Sequence, residues 1–168
     1  MTNLDDSGTI TWIQRNMRDI AWHEEFDGAF CFGNSFGYYD DEGNAAFLKA
    51  VWRSLKAGGR FVLEYPMVLE ARLPNFQERG WFQLGNIFFL EDERYDPVRG
   101  RIVTEYTFIQ DGKVVKRMAS HRTYTYREVC ELLEASGFVD VQAQGLLKEE
   151  PFRLGSESLL LVAGKKTA

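Results

Sequence analysis

FDGAFCFGNSFGYYDDEGNAAFLKAVWRSLKAGGRFVLEYP, residues 26–66, contains a strand, a loop, a helix and a second strand in that order. Asp27 to Phe32 is a short apolar run bounded by Phe26 and Gly33, which suits a buried parallel strand. Asp40 and Asp41 offer an N-cap. Phe47, Leu48, Val51, Trp52 and Leu55 recur at helical spacing, and Gly58 is placed to close that helix in the left-handed conformation. Arg60 to Tyr65 reads as the next strand. Strand, helix and strand of these lengths predict a right-handed βαβ crossover.

Downstream the pattern changes. Gly85 to Tyr95, Arg101 to Ile109 and Lys113 to Tyr124 are β-rich with no helix between them. Asp111-Gly112 is a two-residue hairpin turn, and Asp96-Pro97 with Gly100 marks another. An antiparallel meander over about 85–124 follows from this. Thr125-Tyr126-Arg127-Glu128 is a capping box, opening a helix with Val129, Leu132 and Leu133 on its apolar stripe and Gly137 at its stop. Phe138 to Ala143 and Ser158 to Ala163 read as the last two strands. Upstream, Thr9 to Gln14 alternates and carries β-branched residues, so it also reads as a strand. Leu69 to Phe82 fits either a helix or an irregular lid.

The chain of 168 residues is expected to be a single domain, 45% hydrophobic and 14% aromatic, which argues for a folded globular protein. Its net charge of −5 disfavours nucleic acid, because phosphate binding needs a basic footprint. No apolar run approaches the roughly 20 residues of a membrane span. Thr2 to Gly8 is polar and acidic, unlike a signal peptide. Cys31 and Cys130 sit in apolar contexts and read as buried reduced thiols, so a cytoplasmic location is expected.

Candidate chemistry centres on the loop Gly33-Asn34-Ser35-Phe36-Gly37-Tyr38-Tyr39. It follows the carboxyl end of a parallel strand, where open α/β sheets bind ligands. It reads equally as a glycine-permitted turn that packs two aromatics. His23 and His121 are the only histidines, and each fits a general base or a structural role. No catalytic residue is assigned. No His/Cys/Asp cluster has metal-ligand spacing, so no metal is expected. Ser35 lacks the Gly-x-Ser-x-Gly elbow of a hydrolase. Phe76, Trp81, Phe82, Phe88, Phe89, Tyr95, Tyr106 and Phe108 exceed what one sheet face can bury, so the surplus is expected to form an oligomer interface or a hydrophobic pocket.

FDGAFCFGNSFGYYDD (Phe26 to Asp41), LKAGGRFVLEYP (Leu55 to Pro66), YTYREVCELLEASGF (Tyr124 to Phe138) and the closing LLLVAGKK resemble the C-terminal two-thirds of class I S-adenosylmethionine (SAM) methyltransferases. The small-molecule type, with an antiparallel insert before the penultimate helix, is the nearest match. The resemblance implies an α/β fold: an incomplete Rossmann-like sheet with a β-meander insert. It implies that WIQRNMRDIAW (Trp12 to Trp22) is the third strand and its loop, with Asn16 where the family has an adenine-binding acid. SAM contacts would then fall to Asn16, Met17, Phe32, Gly33, Asn34 and Ser35.

The family's Gly-rich turn and ribose-binding acid have no counterpart before Thr11, and no GxGxxG string occurs. The expectation is a truncated methyltransferase-like domain over residues 1–168, inactive or weakly SAM-binding as an isolated chain. The uncovered edge of its first strand predicts a homodimer. The alternative is a small-ligand-binding or protein-interaction module built on a methyltransferase remnant.

Overall fold

The computed structural model describes residues 10–145 and 150–167. In chain order these form β1 (Phe26–Cys31), α1 (Asp41–Ser54), β2 (Leu55–Tyr65), α2 (Leu69–Arg72), β3 (Arg79–Leu84), β4 (Ile87–Asp96), β5 (Arg101–Gln110), β6 (Lys113–Arg122), α3 (Tyr126–Ala135), β7 (Val139–Gly145) and β8 (Leu159–Gly164). One sheet has the order β1-β2-β8-β7 and the other β3-β4-β5-β6. In the first sheet β1 and β2 are parallel, and β8 runs antiparallel to both of its neighbours. The second sheet is antiparallel throughout. The expected fold class is therefore the observed one.

Local chemistry explains most of the boundaries. Asp40 caps α1 by accepting from the Gly43 amide at 2.8 Å. Thr125 and Glu128 form both halves of the capping box that opens α3. Asp111 and Gly112, with φ of 50° and 74°, make the tight turn between β5 and β6. Asp96 Oδ1 accepts from the amides of Val98 and Arg99, each at 3.1 Å, and so shapes the β4–β5 turn.

Phe47, Leu48 and Val51 of α1 and Val129 and Leu133 of α3 pack on Phe61, Leu63 and Tyr65 of β2 and Leu159, Leu161 and Ala163 of β8. The helices thus cover one face of the first sheet. On its other face Arg60, Val62, Glu64, Leu160 and Val162 remain half-buried or exposed.

Several expectations are corrected. The helix ends at Ser54, and Gly58 does not close it. Instead Gly58 and Gly59 occupy a bulge in β2, where Phe26 pairs with Leu55 but Gly28 pairs with Arg60. Gly58 has φ of +76°, and a Cβ at Gly59 would stand 2.9 Å from the Lys56 carbonyl, so both positions need glycine. β1 is parallel as expected but not buried. Only Cys31 is buried along it, because β1 has one bonded neighbour and one covered face among the described residues.

Ile10 to Gln14 forms no strand, while Thr9 lies outside the described residues. Its β propensity is a local preference and the segment pairs with no strand of either sheet, so Ile10, Trp12 and Ile13 stay exposed. The unassigned stretch 69–82 contains α2 and the start of β3, so the meander has four strands and not three. Cys31 is buried and Cys130 only half-buried, and both thiols are free. No described helix is long and apolar enough to cross a membrane.

Candidate functional site

The loop after β1 turns on two left-handed residues, Gly33 (φ 68°) and Asn34 (φ 59°). Phe36 then plunges into the core, fully buried against Phe47, Tyr65 and Tyr124. Gly37 has φ of +98°, and a Cβ there would press on the Arg122 carbonyl at 3.0 Å. Its own carbonyl accepts from the Arg122 amide at 2.7 Å. The loop is thereby stitched to the end of β6.

Two arginines complete the attachment. Arg101 of β5 donates to the carbonyls of Gly37, Tyr38 and Tyr39 at 3.4, 3.1 and 2.9 Å. It also donates to Ser120 Oγ at 2.7 Å and to the Ser120 carbonyl at 2.8 Å. A planar guanidinium suits this, since several carbonyls lie around its rigid fork. Arg122 reaches Asp41 at 2.9 Å and lies over the Tyr124 ring, 4.3 Å from its centroid. Behind them Tyr124 donates to Asp41 at 2.7 Å and accepts from Asn44 Nδ2 at 3.0 Å. Tyr65 donates to the Arg122 carbonyl. Burial raises the Tyr65 and Tyr124 pKa values, so both phenols stay protonated.

The site residues implied by the resemblance divide into groups. Asn16 caps the turn Met17–Asp19 and accepts from the Arg18 amide and the Tyr39 hydroxyl, both at 3.0 Å. The structure thus joins Asn16 to the far end of the loop. Met17 packs against the core. The Gly33 amide donates to Glu64 Oε2 at 3.0 Å, and Ser35 Oγ donates to the Phe32 carbonyl at 2.8 Å. Phe32 itself is exposed. Asn34 Oδ1, by contrast, is buried with no hydrogen-bond partner.

His121 is the residue that sequence reasoning left undecided. Its side chain is fully buried, and neither ring nitrogen has a partner. Tyr38, itself 49% exposed, lies across it with ring centroids 4.0 Å apart. Burial lowers the His121 pKa below its ordinary 6.5, and the Arg101 cation lowers it further. The Asn34 backbone pulls the other way, without forming a bond of hydrogen-bond geometry. His121 is therefore neutral at pH 7. Cys31, on the core side of the same strand end, is pushed up to about 11 by burial and then by Glu64, so it is no nucleophile.

The strand registers place one face of the meander above this histidine. Phe82 pairs with Phe89, Phe89 with Phe108 and Phe108 with Val115. Period-two alternation puts Tyr106, Thr104, Ile102 and His121 on that same face. Phe89 stacks on Tyr106 at 5.3 Å and on Phe108 at 4.9 Å. At the buried base Glu93 is held by Arg72 and Thr104. No sequence signal singled out Arg101, because it acts through tertiary contacts. Among the described residues no group of three or more His, Cys, Asp or Glu side chains is placed to hold a metal ion.

No family model matches the sequence, and no curated protein matches it. Solved structures do. A SAM-dependent methyltransferase from Clostridium acetobutylicum is similar over 90% of this chain and 63% of its own, with TM-score 0.77 and 14% identity. The CcbJ methyltransferase of Streptomyces caelestis is similar over 93% and 63%, with TM-score 0.71 and 16% identity. SAM-bound CalS10, an amino pentose methyltransferase from Micromonospora echinaspora, is similar over 90% and 63%, with TM-score 0.64 and 15% identity. The chain thus spans 63% of the length of each of these structures. At such identities the likeness establishes the fold: this chain has the architecture of SAM-dependent methyltransferases over that share of their length.

Proposed function

We propose that the chain carries the acceptor side of a small-molecule methyltransferase fold, and that the isolated 168-residue polypeptide binds SAM weakly and transfers no methyl group. One contrast supports this reading. At three of the positions matched to cofactor contacts the polar atoms are already engaged, Asn16 Oδ1 by Arg18 and Tyr39, the Gly33 amide by Glu64, and Ser35 Oγ by Phe32, while Asn34 Oδ1 is not. Of the buried polar atoms without partners, those on Asn34 and His121 lie where the loop meets the meander, and the others are on Asn44, Trp52 and Ser158.

The residues present do not fit SAM. An Asn16 carbonyl that accepts from two donors has no free lone pair for the adenine amine. Gly-rich turns let backbone approach a cofactor closely, and the sequence has no GxGxxG string to do so. Each missing hydrogen bond to a charged or strongly polar group costs about 1.5–3 kcal/mol, so two losses weaken binding by roughly two powers of ten or more.

The acceptor side is better equipped. A buried unpaired polar atom costs about 1–3 kcal/mol, which a bound hydrogen-bonding group would recover. The aromatic face of Phe89, Tyr106 and Phe108 rises from the same base and suits an apolar or aromatic ring. Tyr38 covers His121, so entry requires Tyr38 to swing aside. The acceptor class is a small molecule with an amine or hydroxyl beside a ring, as an amino sugar or an aromatic amine would be. A neutral His121 could accept a proton from such a group.

Calorimetric titration of the chain with SAM tests the reading, with a Kd weaker than roughly 100 μM expected. A micromolar Kd abolished by Asn16→Ala would overturn it. In parallel, the His121 ring resonances should shift on adding amino sugars or aromatic amines, and at lower ligand concentration in Tyr38→Ala, which uncovers the ring. A second reading, a protein-interaction module, is favoured by the exposed Trp81, Leu84 and Met118 of the meander.

A further inference from the structure

We propose that Asn34 and His121 form a two-acceptor pocket beneath Tyr38 that takes an uncharged primary aromatic amine, and that rejects ammonium groups and nitrogens without N–H. This rests on the acceptor-side reading above and narrows it to one of its two amine classes. His121 is 0% exposed, and neither its ring nitrogens nor Asn34 Oδ1 has a hydrogen-bond partner. The described residues alone enclose these atoms, so their burial does not turn on any other part of the chain. Buried polar atoms are almost always paired, and such exceptions point to a partner.

Hydrogen-bond chemistry sets what that partner carries. An amide oxygen only accepts, and a neutral imidazole has one N–H and one bare nitrogen. The Asn34 backbone lies against the ring and favours a proton on it. The N–H therefore turns toward Asn34, and the bare nitrogen is left to the pocket. Asn34 Oδ1 and that nitrogen then offer two acceptors. A primary amine supplies two N–H groups from one atom, whereas a tertiary amine, an ether or a carboxylate supplies none.

Charge narrows the class further. Arg101 is the charged group that acts on the His121 ring. Its bonds all go to neutral oxygens, the carbonyls of Gly37, Tyr38, Tyr39 and Ser120 and the Ser120 hydroxyl. Nearby Arg122 is matched by Asp41 and Glu128, and Glu93 is matched by Arg72. Glu91 lies opposite Tyr106, four residues or about 13 Å along β5 from the Ile102–His121 pair. The base of the site is therefore positive. An ammonium there is repelled by Arg101 and also gives up its hydration, while a neutral amine does neither. Tyr38 shows that an uncharged ring fits, with its phenol ring 4.0 Å from the imidazole. The ligand's ring takes that place when Tyr38 turns out.

Three probes test this on the full chain near neutral pH, each titration read by the His121 ring resonances. Aniline is uncharged and has two N–H groups. N,N-dimethylaniline keeps the ring and has no N–H, and benzylamine carries an ammonium. Aniline should bind at least roughly tenfold more tightly than either of the others, because one leaves both buried acceptors unpaired and the other sets a cation beside Arg101. Asn34→Asp tolerates the left-handed backbone and puts a carboxylate in the pocket, so the preference should turn to benzylamine. Equal binding of aniline and N,N-dimethylaniline, tighter binding of benzylamine to the unaltered chain, or an order unchanged in Asn34→Asp would each overturn the proposal and leave an acceptor site in place. No shift with any of the three, in the unaltered chain and in Tyr38→Ala alike, would sink the acceptor-side reading and the proposal with it. Should Asn34→Asp fail to fold, the order of the three probes on the unaltered chain decides.

Discussion

The two sheets each have four strands, yet they divide the work of the fold unequally. The first is buried along a whole face: Phe61, Leu63, Tyr65, Leu159, Leu161 and Ala163 are all 0–1% exposed beneath α1 and α3. The second is buried only at its base, at Glu93, Ile102, Thr104 and His121, and its outer parts carry exposed Trp81, Leu84 and Met118. Alternating sequence alone does not separate these cases, since both sheets have apolar residues at period two. Helices make the difference. A sheet face is a core only where another layer closes on it.

The largest test of that contrast removes bulk from the closed face. Leu161→Ala should cost about 2–5 kcal/mol, the range for a truncated core leucine that leaves a cavity. Urea unfolding checks it. A cost below about 1 kcal/mol would mean that the helices do not close on β8 as described.

The next effect falls on the seam between the sheets. Arg101→Ala strips the donor shared by the Gly37, Tyr38 and Tyr39 carbonyls, without which parts of the loop lose their attachment to the meander. A destabilisation of about 1–3 kcal/mol is expected from the lost charge-assisted hydrogen bonds, although the Gly37 and Tyr39 carbonyls keep the Arg122 amide and Asn44 Nδ2 as donors. Amide hydrogen exchange should speed up across 37–39 more than in α1. Arg101→Lys should not restore protection, because a point cation cannot span the three carbonyls. Unchanged exchange in Arg101→Ala would place the seam elsewhere.

The third concerns pH at the buried base. The His121 pKa lies below 6.5 in the folded chain, through burial and Arg101. Above pH of about 6.5 the imidazole is neutral in both states and contributes nothing. As pH falls below that value, the unfolded chain takes up the proton first, so stability declines until the folded pKa is reached. His121→Asn should remove that part of the acid slope, seen by comparing urea midpoints at pH 7.5 and 5.5. An identical slope in the variant would show that His121 is accessible to protonation in the fold.

What could be read from the sequence follows the range of the forces involved. Asp40, the Thr125–Glu128 box and Asp111-Gly112 act within a few residues, so their signals are local and the structure shows them in place. Gly58 misleads for an instructive reason. Its left-handed conformation was legible, but a helix end and a strand bulge ask for the same φ. Thr9 to Gln14 reads as a strand because propensity is local, whereas a strand needs an edge to join. The loop after β1 was legible as a site by its position. Its attachment was not, because Arg101, through its side chain, and Arg122, through its own amide, lie more than sixty residues away and bond to loop backbone, which no side-chain pattern records.

The smallest effect is expected at the outer end of the meander. Trp81 is 69% exposed on β3, on the face opposite to Phe82 and Phe89, beside Leu90 with which it pairs. Trp81→Ser removes a large apolar group that is already mostly in water. Surface changes of this kind normally stay within about ±0.5 kcal/mol. A null result sharpens the contrast with Leu161→Ala, since both residues sit on strands of four-stranded sheets and differ in what covers them. A loss above about 1.5 kcal/mol would mean that Trp81 is covered in solution. If that loss grew with protein concentration, the cover would be a second chain seated on the meander and not on β1, because binding stabilises by mass action.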